Sequence, residues 1–364
     1  MKRFILLLAV VTLTSIGGAA QNIEKPTISP KPCSDADKSA VAVGTKLHDA
    51  HRYDEAIATY QDVLKTSPEC TQAMYELSMS YYYKGDKLKA AEIASQGTKY
   101  ICDELPLFYL TLANVMDDAG KPDEAIKIYE RGIDILKRDP KFRPYLSSLS
   151  YNLGVTYTSQ KKYPEAKQQL KASIEANPAY ASPNYLLAKV YSGTGYNVPA
   201  FLAAARLVSL EFDSQRTVQC SELMYGMLMP KKDAKGAITI NLNIMAPKDE
   251  GDFAMYELLL GTLTTVDSDK NKGKTPNDLF IDGIVTLTDM LAEDKKLNRT
   301  FIGANYIPFM VDMKKQGYLP VFGNLLLFIH DRNNTGARDW LDANGTKAKA
   351  FFDWAKTYTP PAGH

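Results

Sequence analysis

Hydrophobic and polar positions follow a helical period twice between residues 151 and 178, on either side of a short polar break. The first run is Tyr151-Asn152-Leu153-Gly154-Val155-Thr156-Tyr157, the second opens with Tyr163-Pro164-Glu165-Ala166, and Ala176-Asn177-Pro178 closes the pair. This pattern predicts two helices joined by a turn. Gly154 sits where the first helix must let its partner approach, Ala166 sits on that partner, and Tyr157 and Leu170 fill the space on either side. Stepped along the chain, the unit recurs. The small residue on the second helix falls at Ala56, Ala90, Ala125, Ala166 and Ala200, with spacings of 34, 35, 41 and 34. The long interval holds an insert at residues 138–144. The matching small residue on the first helix is Gly44, Ser78, Ala113, Gly154 and Ala188. Two helices crossing closely leave no room for anything larger at these positions. From about Glu211 the register is lost, although helical patterns continue through 217–229, 253–263, 276–293, 300–317, 319–329 and 346–358. Residues 237–243 alternate with the period of a strand.

A helix–turn–helix unit near 34 residues long, with these small and large positions, resembles the tetratricopeptide repeat. The resemblance covers five units, near 37–70, 71–105, 106–146, 147–180 and 181–210, with Cys102 standing where the second unit would close on proline. It implies an all-α solenoid of stacked hairpins, followed by a helical C-terminal region, 211–364, that caps the open end. It also implies that first helices line a concave face that binds a segment of another protein. Projected onto this sequence, that face carries Lys38, Val41, Thr45 and His48, then Tyr75, Met79, Tyr82 and Tyr83, then Leu110, Asn114 and Asp117, then Tyr151 and Val155, and finally Tyr185 and Lys189. Relatives that hold a C-terminal carboxylate use Lys, Asn and Arg there. Val41, Thr45, Met79, Leu110 and Asn114 stand in those places, so an aromatic or apolar segment is the expected ligand.

The amino terminus changes the picture of where this happens. Lys2 and Arg3, an apolar run from Phe4 to Ile16 and the small residues Gly18-Ala19-Ala20 read as a signal peptide over residues 1–20, cut before Gln21. Residues 21–36 read as a flexible lead-in. The expected location is therefore periplasmic or secreted, with no stable membrane insertion after cleavage. Lys+Arg total 43 against 42 Asp+Glu, and removal of the leader leaves one net negative charge, which offers nucleic acid no general attraction. Cys33, Cys70 and Cys102 fall at one edge of the hairpins. Cys70–Cys102 is the preferred disulfide, Cys33–Cys70 the alternative, and a fully reduced set stays open; Cys220 reads as a helix interior.

Candidate chemistry is sparse. His48 and His51 flank Asp49 without further ligands in range, so they read as a surface pair. The segment Asp267-Ser268-Asp269-Lys270-Asn271 has the alternating oxygens of a calcium loop, but Lys272 replaces the turn glycine and Asp278 the bidentate glutamate. No phosphate-cradling loop or nucleophile elbow appears. The expected function is a non-catalytic scaffold for another protein, without cofactor or metal. The competing account is a hydrolase with its site in 211–364 around His330.

Overall fold

Helix boundaries in the first half follow local chemistry. Ser34 opens the first helix through a reciprocal cap: its hydroxyl accepts from the Asp37 amide at 3.1 Å, and its own amide donates to the Asp37 carboxylate at 2.9 Å. The computed structural model describes residues 25–229, 248–263 and 271–361. The leader, the start of the lead-in, the strand candidate at 237–243 and most of the Asp267 loop lie outside these residues. The described residues are all-α, apart from an isolated β-bridge between Ile28 and Tyr100. None of their helices is long and apolar enough to cross a membrane.

The chain divides into two compact units, one ending at Lys162 and the other beginning at Tyr163. The first contains α1 (Asp35–Asp49), α2 (Tyr53–Thr66), α3 (Thr71–Lys84), α4 (Lys87–Gly97), α5 (Leu105–Asp118), α6 (Pro122–Leu136), a 3₁₀ turn in the insert (Pro140–Phe142) and α7 (Arg143–Ser159). Consecutive helices pack as pairs, with the undersized residues at the crossings. Gly44, Ala56, Ser78, Ala90, Ala113, Ala125 and Gly154 are all buried. A Cβ on Gly44 would lie 2.4 Å from the Tyr60 ring, and one on Gly97 would lie 2.3 Å from Phe108. Those aromatic rings occupy the space that the missing side chains leave.

The turns inside the hairpins obey the same register. Left-handed backbone occurs at His51, Gly85, Gly120, Lys161 and Gly195, with φ between 58° and 94°. These positions repeat the 34, 35, 41 and 34 spacing of the alanines. Each hairpin needs one residue at positive φ, a conformation that glycine adopts freely and a side chain resists. The first and fourth hairpins make the turn without glycine.

The described part of the lead-in is fastened down. The amides of Thr27 and Ile28 donate to Lys99 O at 3.0 and 3.1 Å, Ile101 N donates to Ile28 O at 2.8 Å, and Lys31 N donates to the Glu69 carboxylate at 2.9 Å. A disulfide then joins Cys33 to Cys70, with Cα atoms 4.8 Å apart. This corrects both the preferred Cys70–Cys102 pairing and the flexible reading of these residues. The extended segment runs back along the hairpin edge and brings Cys33 to the start of α3, while Cys102 stays a buried free thiol. Burial pushes that thiol up to about 12, which suppresses its thiolate.

The second unit contains α8 (Tyr163–Ala176), α9 (Ala181–Gly193), α10 (Asn197–Leu210), α11 (Gln215–Leu228), α12 (Ala254–Leu263), α13 (Pro276–Glu293), a 3₁₀ turn (Lys295–Arg299), α14 (Phe301–Lys315), α15 (Leu319–His330), α16 (Thr335–Ala343) and α17 (Gly345–Thr357). Every residue of α10 from Val198 to Ser209 is buried, and a helix apolar on all sides demands neighbours all round. The C-terminal helices supply them. Arg206 on α10 donates to Ala355 O at 2.8 Å and Pro178 O at 3.0 Å, and its guanidinium lies 4.6 Å from the centre of the Phe309 ring. Burial pulls its pKa down to about 10. Tyr306 OH donates to Asn184 at 2.8 Å, Lys167 pairs with Asp249, and Lys171 pairs with the buried Glu250. The second compact unit therefore begins inside the repeat register, at Tyr163, before the end of that register near residue 211. Residues 163–210 carry the repeat register, with Ala166, Ala188 and Ala200 buried at its crossings, yet they pack with the helices that follow.

Lys161→Gly removes the strained side chain from the fourth turn and is expected to stabilise the full chain by about 0.5–1 kcal/mol in urea unfolding followed by circular dichroism. A loss of stability would contradict the turn reading.

Candidate functional site: the first-helix face of the N-terminal unit

In the first unit α1, α3, α5 and α7 carry the residues projected onto one face, and an aromatic cluster stands at the hairpin ends. Tyr83, the penultimate residue of α3, is 56% exposed. Its ring stacks on Tyr53 at 6.2 Å between centroids, with 15° between planes. His48 meets both rings edge-on, at 5.3 Å from Tyr83 and 5.2 Å from Tyr53. Tyr82 meets Tyr83 edge-on at 5.5 Å, and its hydroxyl donates to Asp118 at 2.6 Å. His48 Nδ1 shares a hydrogen bond with Ser80 Oγ at 2.8 Å, so this imidazole is held by a hydroxyl and two rings. Its partial burial lowers its pKa from the usual 6.5 and favours the neutral ring.

The remaining residues projected onto the face have varied fates. Tyr75 is half-buried and packs edge-on to Phe108 at 6.1 Å; burial pushes its hydroxyl up to about 12. Met79 is half-buried, and its sulfur accepts from Thr111 Oγ1 at 3.4 Å. Leu110 and Tyr151 are half-buried and Val155 is 37% exposed. Two residues depart from the projection. Val41 is 1% exposed and belongs to the core. Asn114 is committed internally, its Oδ1 accepting from Tyr129 OH and from Asn152 Nδ2, so it ties α5 to α6 and α7. Tyr185 and Lys189 belong to the second unit, where the Lys189 ammonium lies 5.5 Å from the Tyr185 ring centre and Tyr185 OH donates to Gln219. Tyr53, which completes the stack, was not on the projected face. It opens a second helix, and only the turn of the chain at His51 brings it across to Tyr83.

The second unit holds an open cleft of about 680 Å³ lined by Asp252, Met255, Tyr256, Met290, Glu293 and Asp294 among others. His330 does not line it; its ring stacks on Tyr225 at 4.0 Å. Among the described residues no three His, Cys, Asp or Glu side chains gather as a metal site.

Two models of the tetratricopeptide repeat match the sequence, at residues 45–98 and 105–195. The chain carries tetratricopeptide repeats. Comparison with curated proteins gives no match. Solved structures with similar folds include PilF of Pseudomonas aeruginosa, at 15% identity and TM-score 0.45 over 52% of this chain and 83% of that one. PilW, described as a type IV pilus biogenesis factor, matches at 14% identity and TM-score 0.43 over 72% of this chain and 97% of that one. YrrB, described as a TPR protein with an unusual peptide-binding site, matches at 15% identity and TM-score 0.38 over 50% of this chain and 90% of that one. The tetratricopeptide repeats place the aromatic cluster where the first two hairpins turn, and His48 is its titrating member.

The native state disfavours the His48 imidazolium, so the unfolded chain binds more protons as pH drops through about 6.5 and the fold loses stability there. The wild-type midpoint in thermal unfolding is expected to fall more between about pH 7.5 and about pH 5.5 than that of His48→Gln. Parallel pH profiles would show that His48 is not held neutral.

Proposed function

We propose that the protein is a non-catalytic scaffold that holds a segment of another protein against the first-helix face of its N-terminal unit, outside the cytoplasm. Tetratricopeptide repeats support a protein-interaction role. The observation that carries the finer reading is the Tyr53–Tyr83 stack, in which the Tyr83 ring is left exposed to solvent and the half-buried Tyr53 backs it. Tyrosine supplies large contact area with little rotamer entropy to lose, which suits it to anchor a partner chain. Val155 and the half-buried Tyr75, Met79 and Leu110 supply further apolar contact on the helices beside it. The basic, apolar and small-residue succession at residues 1–20 favours export, and the Cys33–Cys70 bridge suits an oxidising compartment.

Site-specific photo-crosslinking in the source cell tests the location of the contact. A crosslinking residue at Tyr83 or Val155 is expected to yield a discrete protein adduct. One at Leu88, which is 55% exposed on a second helix of the same unit, is expected to yield none. Adducts at Leu88 alone would move the binding surface off this face.

A further inference from the structure

The charges around the aromatic cluster are unevenly satisfied. Among the nearby cations Lys38 pairs with Asp35, Lys84 with Asp54, and Lys87 with Asp118, while Lys46 stands exposed on α1. His48 is held towards its neutral form. Of the carboxylates, Asp118 accepts from Tyr82 and Asp117 accepts from Thr156 Oγ1 at 2.8 Å. Two others are left over. Glu76 is half-buried on α3, and Asp49 stands exposed at the end of α1; neither has a hydrogen-bond or ion-pair partner among the described residues. They lie close enough that burial and then the Asp49 charge push the Glu76 carboxyl up. Both belong to the same neighbourhood as the rings. Asp49 follows His48, which touches Tyr83, and Glu76 stands about two turns before Tyr83 on the same helix, α3.

A half-buried carboxylate beside a like charge is unfavourable until a cation arrives. An exposed tyrosine ring backed by a second ring attracts the same kind of group, because its face is negative. We propose that the segment held on this face is basic, with an arginine or lysine side chain lying across Tyr83 and its cation meeting Glu76 and Asp49. This deepens the scaffold reading and rests on it. Arginine fits best, since a guanidinium can stack on a ring while it donates in pairs to carboxylates. The polarity is opposite to that of a carboxylate-binding groove: an acidic segment would meet two unpaired anions beside the rings.

The test uses the full chain as bait for a phage-displayed library of random peptides about twelve residues long, alongside two variants with unchanged helical circular dichroism. One variant is Glu76→Gln with Asp49→Asn, which keeps shape and removes charge; the other is Tyr83→Ala. The wild type is expected to enrich arginine and lysine by about threefold or more over the naive library, with recovery falling as salt rises. The charge variant is expected to lose that bias while still recovering aromatic and apolar peptides, and Tyr83→Ala to lose most of both. Recovery of peptides without a basic bias, lost on Tyr83→Ala, overturns the charge assignment and leaves the face reading intact. The same peptides recovered by Tyr83→Ala, or no enrichment by the wild type, overturns both.

Discussion

Where the two helices of a hairpin cross, the space between them admits a hydrogen or a methyl group and little else. The rest of the first unit depends on that constraint. Gly44 lets the Tyr60 ring lie against the α1 backbone, and between successive hairpins Gly97 lets Phe108 of α5 lie against the α4 backbone. Once the helices are this close, the large residues on either side have fixed places to fill, and Tyr60, Phe108, Tyr109 and Tyr129 become fully buried. Close packing also fixes which residues are left outside. Tyr83 and Tyr53 meet because the chain turns at His51 just before Tyr53, and the next hairpin, with Tyr83 at the end of α3, stacks beside the first.

The second unit is held by a different kind of constraint. A helix as apolar as α10 cannot end a stack of hairpins in water, and the C-terminal helices enclose it. The buried Arg206 then orders that enclosure. Its donors go to two backbone carbonyls far apart in sequence, so the guanidinium fixes where α17 and the end of α8 lie against α10. Trp354 stacks on the same Phe309 ring that Arg206 covers, at 5.1 Å, which adds a large aromatic contact to the seam.

Much of this was legible in the sequence because repetition averages out local ambiguity. A single alanine says little, whereas five small residues at a shared spacing locate five crossings. Every such position is buried. The positive-φ turns carry the same spacing, but glycine fills only three of the five, and the His51 and Lys161 turns hide the signal. The disulfide was not legible, since cysteine spacing does not report the path of the extended lead-in that presents Cys33 to Cys70. The binding face was legible only in part. A small rotation of a helix moves Val41 from groove to core, and nothing local announces that Asn114 is engaged by Tyr129 and Asn152 from two neighbouring helices. The short helix α16 was missed because Asn333-Asn334 and Gly336 look like a loop, although Asn334 caps it by accepting from the Ala337 amide at 3.0 Å. That the second compact unit begins at Tyr163, inside the repeat register, follows from tertiary burial of α10, which periodicity alone does not weigh.

The most direct test of the crossing constraint is amide hydrogen exchange on the full chain carrying Ala90→Leu, at a position with no exposed surface. If undersized residues set the helix spacing, the added bulk must separate α3 from α4 and disturb the hairpins stacked on both sides. The expected result is faster exchange in α3 and α4 that spreads to α2 and α5. Exchange in these four helices unchanged from wild type would contradict the account.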